Sequence, residues 1–83
     1  MAYTIKTSRA FEKDFSKLDS LTQNRVLVVL EKMRLDPFLN AKKLKQLEVG
    51  TLRQRIGDYR LRYDVSGHIA YLYRIRHRRE VYR

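Results

Sequence analysis

From Phe11 to Leu18 the apolar positions recur at intervals of four and three, as Phe11, Phe15 and Leu18. That spacing makes one stripe along a helix, and Thr7 or Ser8 stands where its cap is needed. Asp19 and Ser20 interrupt the pattern. Ser20-Leu21-Thr22-Gln23 has the form of a capping box and opens a second helix. Leu21, Val26, Leu27, Leu30 and Met33 are available to its buried side. Asp36-Pro37 ends it, because the residue before a proline avoids α geometry. Ahead of both helices, residues 2–6 form a short run of β-formers. The pattern predicts a strand and a helix hairpin whose apolar side needs a sheet to cover.

Period two takes over in the second half. Strand-like segments occupy 51–56, 59–65 and 69–76, and Gly57-Asp58 and Ser66-Gly67-His68 supply tight turns. Between hairpin and meander lies a connector, 38–50, with Lys42, Lys43, Lys45, Leu44 and Leu47, closed by Gly50. In the second strand Tyr59, Leu61, Tyr63 and Val65 share one face, and Arg60, Arg62 and Asp64 share the other. In the third, Ile69, Tyr71, Tyr73 and Ile75 oppose Ala70, Leu72, Arg74 and Arg76. Tyr59, Tyr63, Tyr71 and Tyr73 are therefore expected against the helices, with arginines on the outer face. Which arginines lie side by side depends on register, which period two leaves open. The fold class is α+β: an N-terminal strand and a two-helix hairpin packed on a mostly antiparallel sheet, completed by a C-terminal three-strand meander. Residues 1–83 form a single domain.

Charge sharpens the picture. The chain carries a formal +10, and the nine arginines from Arg53 onward, with no lysine among them, account for most of it. Guanidinium is planar, permanently charged and forks onto phosphate oxygens. Five of the six tyrosines lie in the same stretch, and their rings give bases a surface to stack on. The combination points to single-stranded or splayed-out RNA, although charge alone fits an acidic protein equally well. The absence of cysteine excludes disulfides and thiolate zinc sites. The acidic residues are scattered and the two histidines lack ligand spacing, so no metal or cofactor is expected. No run approaches a membrane span, and a cytoplasmic protein is expected.

Gly57-Asp58-Tyr59-Arg60-Leu61-Arg62-Tyr63, followed by Arg74-Ile75-Arg76-His77-Arg78-Arg79-Glu80-Val81-Tyr82, resembles the RelE toxins of the bacterial and archaeal RelE/ParE superfamily. The resemblance spans nearly the whole chain. It implies a type II toxin: a ribosome-dependent endonuclease that cuts mRNA in the A site by metal-independent attack of the RNA 2′-OH. It also implies the ribosome with A-site mRNA, and a cognate antitoxin, as partners. A gyrase inhibitor of the ParE branch is the alternative, although the His-Arg-x-x-Val-Tyr ending argues against it. A catalytically silent nucleic-acid-binding protein of the same fold is another.

On this resemblance Arg60 corresponds to the arginine at the scissile phosphate, Arg76 to the second catalytic arginine, and Tyr82 to the tyrosine that stacks on the cut nucleotide. Arg53 and Arg55 fall where some members carry a basic pair, often lysine. Arginine is effectively never deprotonated, so His77 becomes the acid–base candidate, imidazole titrating near neutrality. Arg62 has the same orientation as Arg60; Arg60 is preferred as the catalytic one of the two, and the other holds ribosomal RNA or pairs with Asp64. Arg74 is a further RNA contact or an ion-pair partner at the sheet edge. Lys42, Lys43, Lys45, Arg78, Arg79 and Arg83 form an outer layer for RNA phosphates or ordinary solvated charge.

Overall fold

The computed structural model describes residues 2–43 and 51–81. Strand β1 (Thr4–Thr7) leads into helices α1 (Arg9–Ser16) and α2 (Ser20–Leu35). A two-residue strand β2 (Lys42–Lys43) precedes the meander of β3 (Leu52–Ile56), β4 (Tyr59–Ser66) and β5 (Ile69–His77). One helical turn, α3 (Arg78–Val81), follows. The sheet order is β1-β5-β4-β3-β2, with β1 parallel to β5 and every other pair antiparallel. The expected α+β arrangement of strand, hairpin and meander is present. β2 is an addition: Lys42 and Lys43 leave the connector to pair with Arg53 and Leu52, and they make a short, charged edge.

Ser8 caps α1, its hydroxyl accepting the Phe11 N–H at 3.0 Å. Phe11 is buried, and Phe15 and Leu18 pack beside it. The second helix departs from expectation. Asp19, not Ser20, is its N-cap residue. Gln23 turns away from a reciprocal cap because its side-chain amide donates to the Phe15 carbonyl at 3.0 Å, tying the two helices together. Val26 and Met33 are buried and Leu30 partly so, but Leu21 and Leu27 are 62% and 50% exposed. Apolar residues lie on more than one side of α2, and the sheet covers only one stripe of it.

Both hairpin loops have two residues, with a positive φ only at the glycine, +61° at Gly57 and +59° at Gly67. Glycine first is the type II′ arrangement, whose twist suits paired strands. Beneath the helices, Leu61, Tyr63 and Leu72 are fully buried. A side chain of that size contributes about 1.5–3 kcal/mol on leaving water. The Tyr63 hydroxyl donates to the Pro37 carbonyl at 2.6 Å. Gln54 donates both to that hydroxyl and to the Leu39 carbonyl. These bonds fasten the turn after α2, where Asn40 has φ +62°, onto the sheet.

The third meander strand does not alternate evenly. Arg62 pairs with Arg74, but the next residue of β4, Tyr63, pairs with Leu72, so Tyr73 is an extra residue in β5. This bulge reverses the inward face. Ala70 and Leu72 point to the core before it and Ile75 after it. Tyr71, opposite Asp64, and Tyr73 consequently leave the helix side, contrary to the expectation from period two.

Candidate nucleic-acid interface

Cross-strand partners in a sheet project to the same face, about 5 Å apart at Cβ. The register therefore turns a list of basic residues into two rows. Arg55, Arg60 and Arg76 stand side by side across β3, β4 and β5. Lys42, Arg53, Arg62 and Arg74 form the second row across β2, β3, β4 and β5. Both rows rise from backbone positions that face away from the helices, because the residues between them in sequence, Gln54, Leu61 and Ile75, are buried, although the Arg74 guanidinium turns to Asp14 of α1. Directly opposed like charges destabilise a sheet. A fold that keeps seven cations so arranged has a surface suited to a polyanion.

Arg60 is the centre of the first row and is only 5% exposed. Its Nε has no hydrogen-bond partner among the described residues. One terminal nitrogen makes a long 3.4 Å bond to the Tyr59 carbonyl. A buried cation with an unsatisfied donor is costly, and a phosphate oxygen is the ligand that would satisfy it. With Arg55 and Arg76 on either side, the site can bind a phosphate and stabilise negative charge added to it.

Asp64 lies on the same face and accepts both the backbone N–H and the hydroxyl of Thr51, at 2.8 and 2.6 Å. Burial, and then the Asp64 carboxylate, hold the Tyr73 phenol above its ordinary pKa. Tyr71 and Tyr73 thus border the arginine rows. Alternation within β5 did not reveal this, and Asp14 of α1 was equally invisible. It forms a bidentate ion pair with Arg74, 2.7 Å to Nε and 3.0 Å to a terminal nitrogen.

The remaining candidates fall elsewhere. His77 pairs with Tyr59 and meets its ring edge-on at 5.4 Å, on the helix-bearing side of the sheet. Its Nδ1 accepts the Arg79 N–H at 3.2 Å. Its position in the pleat is opposite to that of Arg60, although it lines one cavity with Arg74 and Arg76. Arg78 and Arg79 are exposed at the start of α3, which is tied to the β3–β4 turn by a 2.7 Å bond from the Arg78 N–H to the Asp58 carbonyl. Lys43 is exposed on β2. Lys45, Tyr82 and Arg83 lie outside the described residues. No group of three or more histidine, aspartate or glutamate side chains suited to a metal ion occurs among the described residues. No helix there is long and apolar enough to cross a membrane.

Residues 5–82 match the family model described as the ParE toxin of type II toxin–antitoxin systems, parDE. Among solved structures, the chain is similar to the toxin–antitoxin complex RelBE2 of Mycobacterium tuberculosis. The identity is 24% and the TM-score 0.82, covering 93% of this chain and 99% of that one. A RelB–RelE antitoxin–toxin complex from Methanococcus jannaschii matches at 25% identity and TM-score 0.77, covering 93% and 94%. An arginine-to-alanine double mutant of the E. coli toxin RelE in the free state matches at 24% and 0.74, covering 99% and 92%. No curated protein matches the chain.

Proposed function

Since the chain belongs to the ParE toxin family of type II toxin–antitoxin systems, we propose that this toxin acts as a ribosome-dependent endoribonuclease on mRNA in the A site. The observation that carries the reading is the buried Arg60, with a donor unsatisfied among the described residues, flanked across the strands by Arg55 and Arg76. In the reaction the RNA 2′-oxygen bonds to the adjacent phosphorus as its proton passes to solvent water. The phosphorus–5′-oxygen bond then breaks, and the 5′-oxygen takes up a proton. The products are a 2′,3′-cyclic phosphate and a 5′-hydroxyl. Between them stands a phosphorane with extra negative charge, which fixed guanidinium groups stabilise. Arginines cannot remove the 2′ proton, and His77 takes the opposite position in the pleat. Tyr82, directly after α3, is proposed to stack on the cut nucleotide. Arg53, Arg62, Lys42 and Lys43 hold flanking phosphates.

Complexes of RelE with RelB support a cognate antitoxin as partner. An acidic segment suits the arginine rows, and an amphipathic one suits the exposed Leu21, Leu27 and Val28 of α2 on the opposite side of the sheet. The match to the ParE family model also supports a second reading, the inhibition of DNA gyrase that the ParE resemblance implies. Mapping new mRNA 5′ ends on programmed ribosomes decides between them. Cuts within the A-site codon, lost when the cut nucleotide carries 2′-methoxy, are expected. Intact mRNA together with blocked supercoiling by gyrase would reverse the assignment.

A further inference from the structure

A cavity of about 550 Å³ opens between the C-terminal half of α2 and the outer edge of β3. Its chemistry is divided. Val29 and Leu39 supply an apolar wall backed by the buried Met33, and Lys32, Lys42, Arg53 and Arg55 supply cations. Asp36 is the carboxylate in the lining, and it is occupied in accepting the Phe38 N–H at 3.0 Å. The wall is held in place: Gln54 donates to the Leu39 carbonyl, and the Tyr63 hydroxyl donates to that of Pro37. Such anchoring lowers the ordering cost of binding.

Two residues link this cavity to the arginine rows. Arg53 and Arg55 line it, and each is also the β3 member of a row, opposite Arg62 and Arg60. A strand of RNA whose phosphate sits at Arg60 therefore has its next phosphate within reach of Arg53 and Arg55, and the cavity opens beyond them. The volume lies in the range of small-ligand sites. An apolar wall with a cationic rim suits a nucleotide, whose base is flat and weakly polar and whose phosphate is anionic.

We propose that this cavity holds one nucleotide of the same RNA strand, flanking the nucleotide whose phosphate is attacked, with its base against Val29 and Leu39, in front of the buried Met33, and its phosphate at Lys42, Arg53 and Arg55. The assignment rests on the proposed action on RNA. It adds a subsite on the helix-hairpin side of the sheet edge, so that the chain reads the substrate strand from two faces.

The probe is an uncleavable trinucleotide carrying 2′-methoxy groups, followed by the methyl resonances of Met33 and Leu39. Both methyl groups are expected to shift on titration. A trinucleotide lacking its terminal base should move the arginine-face signals and leave these methyls in place. Lys32→Glu and Leu39→Glu should each weaken binding by about tenfold, the former also flattening the salt dependence. Leu39→Met, which keeps the apolar wall, should bind as the parent does. Leu39 is half exposed, so its replacement tests the cavity without emptying the core. Arginine-face shifts with silent Met33 and Leu39 methyls would overturn the subsite, as would no RNA binding at all. So would methyls that respond only to an acidic helical peptide, which would place a protein there. A chain that binds the trinucleotide in the cavity but leaves ribosomal mRNA uncut keeps the subsite and loses the proposed activity. A chain that cuts mRNA while the methyls stay silent does the reverse.

Discussion

The carboxylate of Asp14 accepts the backbone N–H of Ile75 at 3.2 Å while it grips the Arg74 side chain. β1 pairs with β5 only as far as Leu72, and beyond that point the edge of β5 needs another partner. α1 supplies it: the Ser8 hydroxyl donates to the Tyr73 carbonyl at 2.8 Å, and Asp14 takes the Ile75 N–H. These two side chains flank the bulge and thereby hold the reversal that puts Arg76 beside Arg60.

Asp14→Asn keeps an acceptor for the Ile75 N–H and removes the charge pairing. Asp14→Ala removes both. The Asp14 side chain is 14% exposed and that of Arg74 43%, so solvent screens the pair in part. Chemical denaturation should show a loss of about 0.5–1 kcal/mol for the asparagine variant and about 1–3 kcal/mol for alanine, which orphans a backbone donor. In single-turnover cleavage the alanine variant should also be the slower. Equal stability and rate in parent and Asp14→Ala would show that the bulge holds itself.

Arg60→Met should separate activity from stability. Removing one transition-state donor costs on the order of 100-fold in rate, and Arg76→Ala should lose a similar factor. Yet Arg60 is a buried cation between two others, and an apolar side chain of similar length relieves that repulsion. The melting temperature should stay level or rise as cleavage disappears. A sharp fall in melting temperature would make Arg60 a structural residue.

The exposed arginines should behave differently. Arg78→Ala should leave the saturated rate within about twofold and weaken ribosome binding, with a shallower dependence on salt. Measuring rate against toxin concentration at two ionic strengths resolves the two effects. Rate losses equal to those at Arg60 would mean that diffuse charge, not a defined site, drives the reaction.

Burial raises the pKa of the Tyr63 phenol above its ordinary 10.0. The unfolded chain then loses this proton at lower pH than the folded one. The associated stability is complete below about pH 10 and fades as pH climbs through the folded value. Ultraviolet titration should show a late phenol that is absent from Tyr63→Phe. That variant should also be less stable by about 1–3 kcal/mol at neutral pH, because the Pro37 carbonyl loses its donor.

Tyr82 is tested by a pair of variants. Loss of the ring in Tyr82→Ala should cost about tenfold to a hundredfold in cleavage, the worth of one base stack, with the melting temperature unchanged. Tyr82→Phe should keep most activity if stacking is its role. Full activity in the alanine variant would remove the assignment.

The elements themselves were legible because their causes are local. Phe11, Phe15 and Leu18 are neighbours on any helix, Asp36-Pro37 stops α2 wherever it packs, and Gly57 and Gly67 turn the chain by their own backbone freedom. The arginine-rich face was legible in β4 for the same reason, since alternation is a property of one strand. What tertiary structure decided is whatever depends on a partner distant in sequence. The bulge at Tyr73 depends on β4 and on α1, so the outward turn of Tyr71 and Tyr73 follows from no local rule. The side-by-side placement of Arg55, Arg60 and Arg76 is a matter of register between strands, each of which is compatible alone with several pairings. The same holds for His77, which a neighbour in sequence, Arg76, places near the site and which the pleat of the strand carries to the other side.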